Sequence, residues 1–162
     1  MAISHASVEL IAAAHPRVVW DVATLTNPTW FYPKFGPLPG VVDVHGQSGD
    51  WNTVGNTRTL LLSNGGSVIE TLTEVAPPGF FAYDLSEFRG LFGALVAGAR
   101  AEWSFSERDG GTGIRWSYSF TARPGAGLAV SFIVRHYWAR YMARVLAVIV
   151  REAERQECPL NP

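Results

Sequence analysis

The chain has 162 residues, 48% of them hydrophobic, with 13 basic against 14 acidic side chains and a net charge of −1. That is enough apolar material for a sizeable core and too much for disorder, and the length suits one domain, taken as 1–162 with a short tail at 157–162. The balanced charge argues against nucleic acid as a partner, and the single cysteine, Cys158, excludes an internal disulfide and fits a reducing compartment.

Residues 3–12, rich in Val, Ile and Ala, read as a first strand. His15-Pro16 starts a short helix, because proline is tolerated in the first helical turn, with Val18, Val19, Val22 and Leu25 as its apolar side. Asn27-Pro28 restarts the chain as a second short helix, followed by the aromatic cluster Trp30, Phe31, Tyr32 and Phe35. Pro33, Gly36, Pro37, Pro39 and Gly40 then impose a loop. From Val41 to Pro124 the hydrophobic period is two, giving strands at 41–46, 56–63, 67–75, 80–87, 99–108 and 112–123. A turn centred on Gly110-Gly111 pairs Phe105 with Trp116 and Trp103 with Tyr118, so those four rings share a face with Ile114 and Phe120. Arg115, Ser117, Ser119 and Thr121 form the wet face. Residues 127–156 read as one long helix. Arg140, Arg144, Arg151 and Arg155 lie on one side, forming either a local patch or an ordinary solvated face. Leu128, Phe132, Trp138, Ala139, Met142, Leu146, Ile149 and Ala153 lie on the other, where Arg135 breaks the apolar pattern.

These elements make an α+β domain. A seven-stranded curved antiparallel sheet wraps around a long C-terminal helix, with two short helices after strand 1. A strongly curved sheet does not pack flat on a helix, so a ring-lined cavity between them is a natural outcome; a filled core is the alternative. Two loops, 35–40 and the apolar, glycine-bearing 88–98, read as lids; the second also suits a dimer contact or a lipid-facing tip.

Arg58 and Glu70 stand among apolar and Thr/Ser neighbours, and ionisable groups are costly to bury unless paired or used. The turn at Asn64-Gly65-Gly66 decides whether they meet. A two-residue turn pairs Thr59 with Glu70 and puts Arg58 on the opposite face. A three-residue Asn-Gly-Gly loop pairs Leu60 with Glu70 and puts both on one face, with Leu72, Tyr83 and Leu85.

This order of elements resembles the helix-grip superfamily of START domains, the birch-pollen allergen and the polyketide cyclase/dehydrases. The resemblance rests on Val18-Val19-Trp20, Trp30, Gly55, Arg58, Asn64-Gly65-Gly66, Glu70-Thr71-Leu72, Tyr83, the Gly-Gly-Thr-Gly at 110–113, Trp116 and the closing helix. The Gly-x-x-Arg … Gly … Glu-x-Leu signature is most similar to the bacterial cyclase/dehydrase branch. The resemblance implies that Arg58 and Glu70 point into a cavity that takes a small hydrophobic molecule.

Three functions follow from that chamber. In an enzyme, Glu70 moves protons on a carbonyl compound, because burial disfavours its charge while Arg58 favours it. Arg58 binds an enolate or carboxylate oxygen and Tyr83 or Tyr118 supplies a weaker acid. The set suits cofactor-free cyclisation or dehydration of a polyketide-like substrate. In a non-catalytic binder or carrier, the same residues hold a polyketide- or lipid-like ligand. In an interaction module, the six tryptophans plug the interior. For the first two, Trp103, Phe105, Trp116, Tyr118 and Phe120 would line the ligand site from the last hairpin. Leu72, Leu85 and Phe92 would do so from the middle strands and lid, and Phe132, Arg135 and Met142 from the helix. Arg135 either meets an anionic ligand group or snorkels to solvent. His5, His15, His45 and His136 are scattered without metal spacing, so no metal is expected. The N-terminus lacks a basic leader and no run reaches the ~18 apolar residues a span needs, so a cytoplasmic protein is expected. A homodimer stays open.

Overall fold

The computed structural model describes residues 1–158; residues 159–162 of the expected tail lie outside it. Strand β1 (Ile3–Ala12) leads into α1 (Pro16–Leu25), and a single 3-10 turn at Pro28–Trp30 takes the place of a second short helix. The strands β2 (Val41–His45), β3 (Thr57–Leu62), β4 (Ser67–Ala76) and β5 (Phe80–Arg89) follow. A one-turn helix, α2 (Leu91–Leu95), then leads into β6 (Val96–Arg108) and β7 (Gly111–Ala122). The seven strands form one antiparallel sheet in the order β1-β7-β6-β5-β4-β3-β2, closing the first strand against the last. Bulges in β2, β4 and β6 break the ladder, and such insertions bend a sheet and increase its twist.

The closing helix is not uniform. It runs as α3 (Gly127–Ile133), a π-helical turn at Val134–Trp138, and α4 (Ala139–Glu157). The wide turn inserts an extra residue into the 3.6 period. Up to its first residue the buried positions are Val130 and Val134; after it they are Tyr141, Met142, Val145, Leu146, Ile149, Val150 and Ala153. An uninterrupted period traced back from Met142 reaches Arg135 and Leu128 instead. The structure therefore corrects three placements: Leu128, Phe132 and Arg135 are exposed on the outer side. In α1 the inward side chains are Val19, Trp20 and Val22, while Leu25 is exposed.

The last hairpin closes through Asp109-Gly110, with Arg108 opposite Gly111. Trp103 consequently faces Trp116, and Phe105 faces Ile114, a two-residue shift from the expected register that leaves the faces unchanged. Gly111 passes so close to the end of β1 that a Cβ there would lie 1.9 Å from the carbonyl oxygen of Ala12. Gly111→Ala is expected to cost about 1–3 kcal/mol of stability by forcing these backbones apart. Urea unfolding would show this as a lowered midpoint at unchanged slope, and an unaltered midpoint would contradict the close approach.

Below the middle of the sheet the interior is solid. Trp20 meets Phe81 and Phe105 edge-on at 5.4 and 5.8 Å, and Trp103 stacks on Trp116 at 4.4 Å. Above them, between β3–β5, the top of β7 and the start of α4, the packing opens.

Candidate functional site

The opening is a mostly apolar cavity of about 80 Å³. Its sheet wall carries Arg58, Leu60, Glu70, Leu85, Tyr118 and Phe120, and its helix wall Trp138 and Tyr141. Tyr32, Leu38 and Pro39 approach from the loop before β2, and Phe88 and Phe92 from the segment around α2. Both loops read from the sequence as lids thus contribute to the wall.

Glu70 and Arg58 meet because of the β3–β4 hairpin. Its loop is Ser63-Asn64-Gly65, with Leu62 N–H donating to Gly66 O and Gly65 at φ +83°, a conformation glycine adopts without a side-chain clash. Arg58 stands directly opposite Glu70, rather than Leu60 as the Asn-Gly-Gly loop predicts, and the two share a face as that loop requires. Glu70 is opposite Leu85 and Leu72 opposite Tyr83 on the next strand. Arg58 Nε donates to Glu70 Oε2 at 2.7 Å, with only 9% and 3% of the two residues exposed. A charge-assisted bond between groups so withdrawn from water is strong, and either partner alone would be costly.

Trp51 completes the arrangement. The guanidinium carbon of Arg58 lies 3.9 Å from the centre of its indole ring, a cation–π contact worth about 2 kcal/mol when desolvated. Arg58 is therefore held between a carboxylate and a ring face. Among the described residues, its other N–H groups and Glu70 Oε1 have no protein hydrogen-bond partner. Arg58 also borders a separate surface cleft of about 270 Å³ with Asn27, Asp50 and Trp51, so the guanidinium separates the inner cavity from that cleft.

Three phenols surround the pair. Burial raises the pKa of Tyr32, Tyr83 and Tyr118, and the Glu70 carboxylate adds to each rise; Tyr141 is raised by burial alone. The fold therefore favours the neutral phenols, while the unfolded chain releases those protons near pH 10. Stability is expected to fall as the pH rises above about 10. Urea unfolding across that range would check this; a flat profile would mean the phenols titrate freely.

Of the remaining candidates, Tyr83 is buried but does not reach the cavity wall. Its hydroxyl lies 3.4 Å from that of Tyr118, which does. Trp103, Phe105, Trp116, Leu72 and Met142 belong to the packed core and Phe92 to the wall. Phe132 lies outside against His136, their ring centres 4.6 Å apart, and Arg135 is exposed. Sequence reasoning did not single out Trp51, Tyr141 or Tyr32 for the site. Trp51 and Tyr32 lie in aperiodic stretches where no register assigns a direction, and Tyr141 lies beside Met142 on the buried face of α4.

A curved seven-stranded sheet gripping a C-terminal helix, with a buried acid–guanidinium pair in its cavity, defines a helix-grip domain of the cyclase-like kind. The chain belongs to the family described as polyketide cyclase/dehydrase and lipid transport, whose model matches residues 4–154. Among solved structures it is similar to the Zhui aromatase/cyclase of Streptomyces sp. R1128, with 17% identity, TM-score 0.69 and 97% of each chain covered. It is similar to the di-domain aromatase/cyclase StfQ of the steffimycin biosynthetic pathway, with 13% identity, TM-score 0.68, and 96% of this chain and 52% of that one covered. It also resembles Ara h 8.0201, with 15% identity, TM-score 0.61, and coverages of 92% and 99%. At these identities the likeness is one of fold. No curated protein sequence matches the chain.

Proposed function

We propose that the protein binds a small hydrophobic, oxygen-bearing molecule of polyketide or lipid-like character in the inner cavity and acts on it by cofactor-free acid–base chemistry, as a cyclase or dehydratase. The observation that carries this reading is the Arg58–Glu70 ion pair on a mostly apolar wall. Such a pair is seldom worth its desolvation for stability alone. The unpartnered N–H groups of Arg58 suit a carbonyl or enolate oxygen. Glu70 Oε1 suits a proton on the neighbouring carbon, and of the two candidate phenols Tyr118 is the one on the cavity wall. Family membership and the likeness to two aromatase/cyclases support the reading.

Drug-sized ligands occupy pockets of about 300–1,000 Å³. The cavity, at about 80 Å³, is smaller, so loading a multi-ring molecule requires the 35–40 and 88–98 lids to move outward. The mutual engagement of Arg58 and Glu70 favours a second reading, binding without turnover, in which the pair serves only as a polar anchor. Incubation with a panel of aromatic polyketides and reactive poly-β-ketones, followed by mass spectrometry, separates the two. Turnover lost in Glu70→Gln supports the enzyme, saturable binding without product supports the binder, and neither from any panel member would overturn both.

A further inference from the structure

One end of the molecule exposes apolar side chains that the core does not use. Leu91 on α2, and Leu128 and Phe132 on α3, leave 76%, 90% and 56% of their surfaces open to solvent. Leu128 and Phe132, four residues apart, share one face of α3. The two helices are neighbours, fastened by Arg123: its backbone N–H donates to Leu95 O at 2.8 Å and its Nε to Gly93 O at 2.6 Å. The same end is basic. Arg89, Arg123 and Arg135 are exposed, and Glu87 is the one acidic residue between Asp84 and Glu102. Between Asp109 and Glu152 the chain carries six arginines and no acidic residue, and two of them, Arg123 and Arg135, lie at this end.

We propose that this end docks on an anionic phospholipid surface. Leu91, Leu128 and Phe132 enter the headgroup layer, and Arg89, Arg123 and Arg135 pair with phosphates around them. Exposed large apolar groups ringed by arginine combine the two attractions that hold peripheral proteins on such a surface. The site also lies over the cavity's lid: α2 turns Phe92 inward onto the cavity wall while its neighbour Leu91 points out. Resting α2 in a bilayer would place the lid where an apolar ligand partitions. Docking is read without any cavity ligand, so its failure would leave the cavity assignment standing.

Co-sedimentation with vesicles tests this. The intact protein should pellet with vesicles of equal parts phosphatidylglycerol and phosphatidylcholine, remain soluble with phosphatidylcholine alone, and be released at about 0.5 M salt. Leu91→Glu/Leu128→Glu and Arg89→Glu/Arg135→Glu alter only exposed side chains. Each should weaken vesicle binding about tenfold or more while leaving the near-ultraviolet circular dichroism unchanged. Absence of binding to anionic vesicles at low salt would overturn the proposal, as would undiminished binding by both variants. A concentration-dependent dimer that Leu128→Glu dissolves, with no vesicle binding, would assign the face to a second copy of the chain instead.

Discussion

Glu70→Ala is expected to destabilise the protein by about 3–5 kcal/mol, because it strands the Arg58 guanidinium in a site with 9% exposure and no other carboxylate partner among the described residues. Arg58→Ala should cost a similar amount, leaving the carboxylate alone and Trp51 without its cation. The informative variant changes both. Arg58→Met/Glu70→Leu fills comparable space with apolar groups, and replacing a buried pair in this way is often neutral or stabilising. Near wild-type stability in the double variant, against large losses in each single one, would show that the pair is not retained for folding. A function for it in the cavity then becomes the economical explanation. Chemical denaturation of the four proteins makes the comparison; a double variant as unstable as the worse single one would mean that the pair organises the fold.

Trp116→Ala should cost about 3–5 kcal/mol through the void left at the centre of the aromatic layer. Trp116 is fully buried, stacks on Trp103 at 4.4 Å, and touches Tyr118 and Tyr32 edge-on at 5.8 and 6.1 Å. Those two tyrosines reach the cavity, so the loss should also loosen its floor. Trp116→Phe, which keeps a ring in the stack, should cost much less. Thermal unfolding of both would decide this, and equal losses would show that a ring in the stack does little to fill the gap.

The order of elements was legible because period-two runs, glycine-rich turns and a long amphipathic helix each carry a local signature. The shared face of Arg58 and Glu70 was legible only as one of two alternatives, because the two-residue and three-residue loops differ by one residue and a one-residue slip swaps the faces. The loop proved to be Ser63-Asn64-Gly65 rather than Asn64-Gly65-Gly66, a one-residue move that shifts the pairing by two and keeps both side chains inside. The Phe105/Trp116 hairpin shifted by two with the same harmless outcome. Where a one-residue insertion occurs, the reading fails. The π turn at Val134–Trp138 adds one residue, so Phe132 and Arg135, expected at the ligand, face outward. Nothing local in Val-Arg-His-Tyr-Trp announces that turn. Trp51 was invisible for another reason: its partner Arg58 is set by tertiary approach of a loop.

The most direct measurement is the NMR signal of the Arg58 Nε–H, assigned by its disappearance in Arg58→Lys, while a small aromatic ketone is titrated in. The buried bond to Glu70 Oε2 predicts a slowly exchanging, downfield-shifted resonance. That resonance should move on ligand addition together with the methyls of Leu60 and Leu85 on the same wall. Leucine methyls that shift while the Arg58 signal stays fixed, or an Arg58 proton exchanging as fast as a surface arginine's, would contradict a buried guanidinium that meets the ligand.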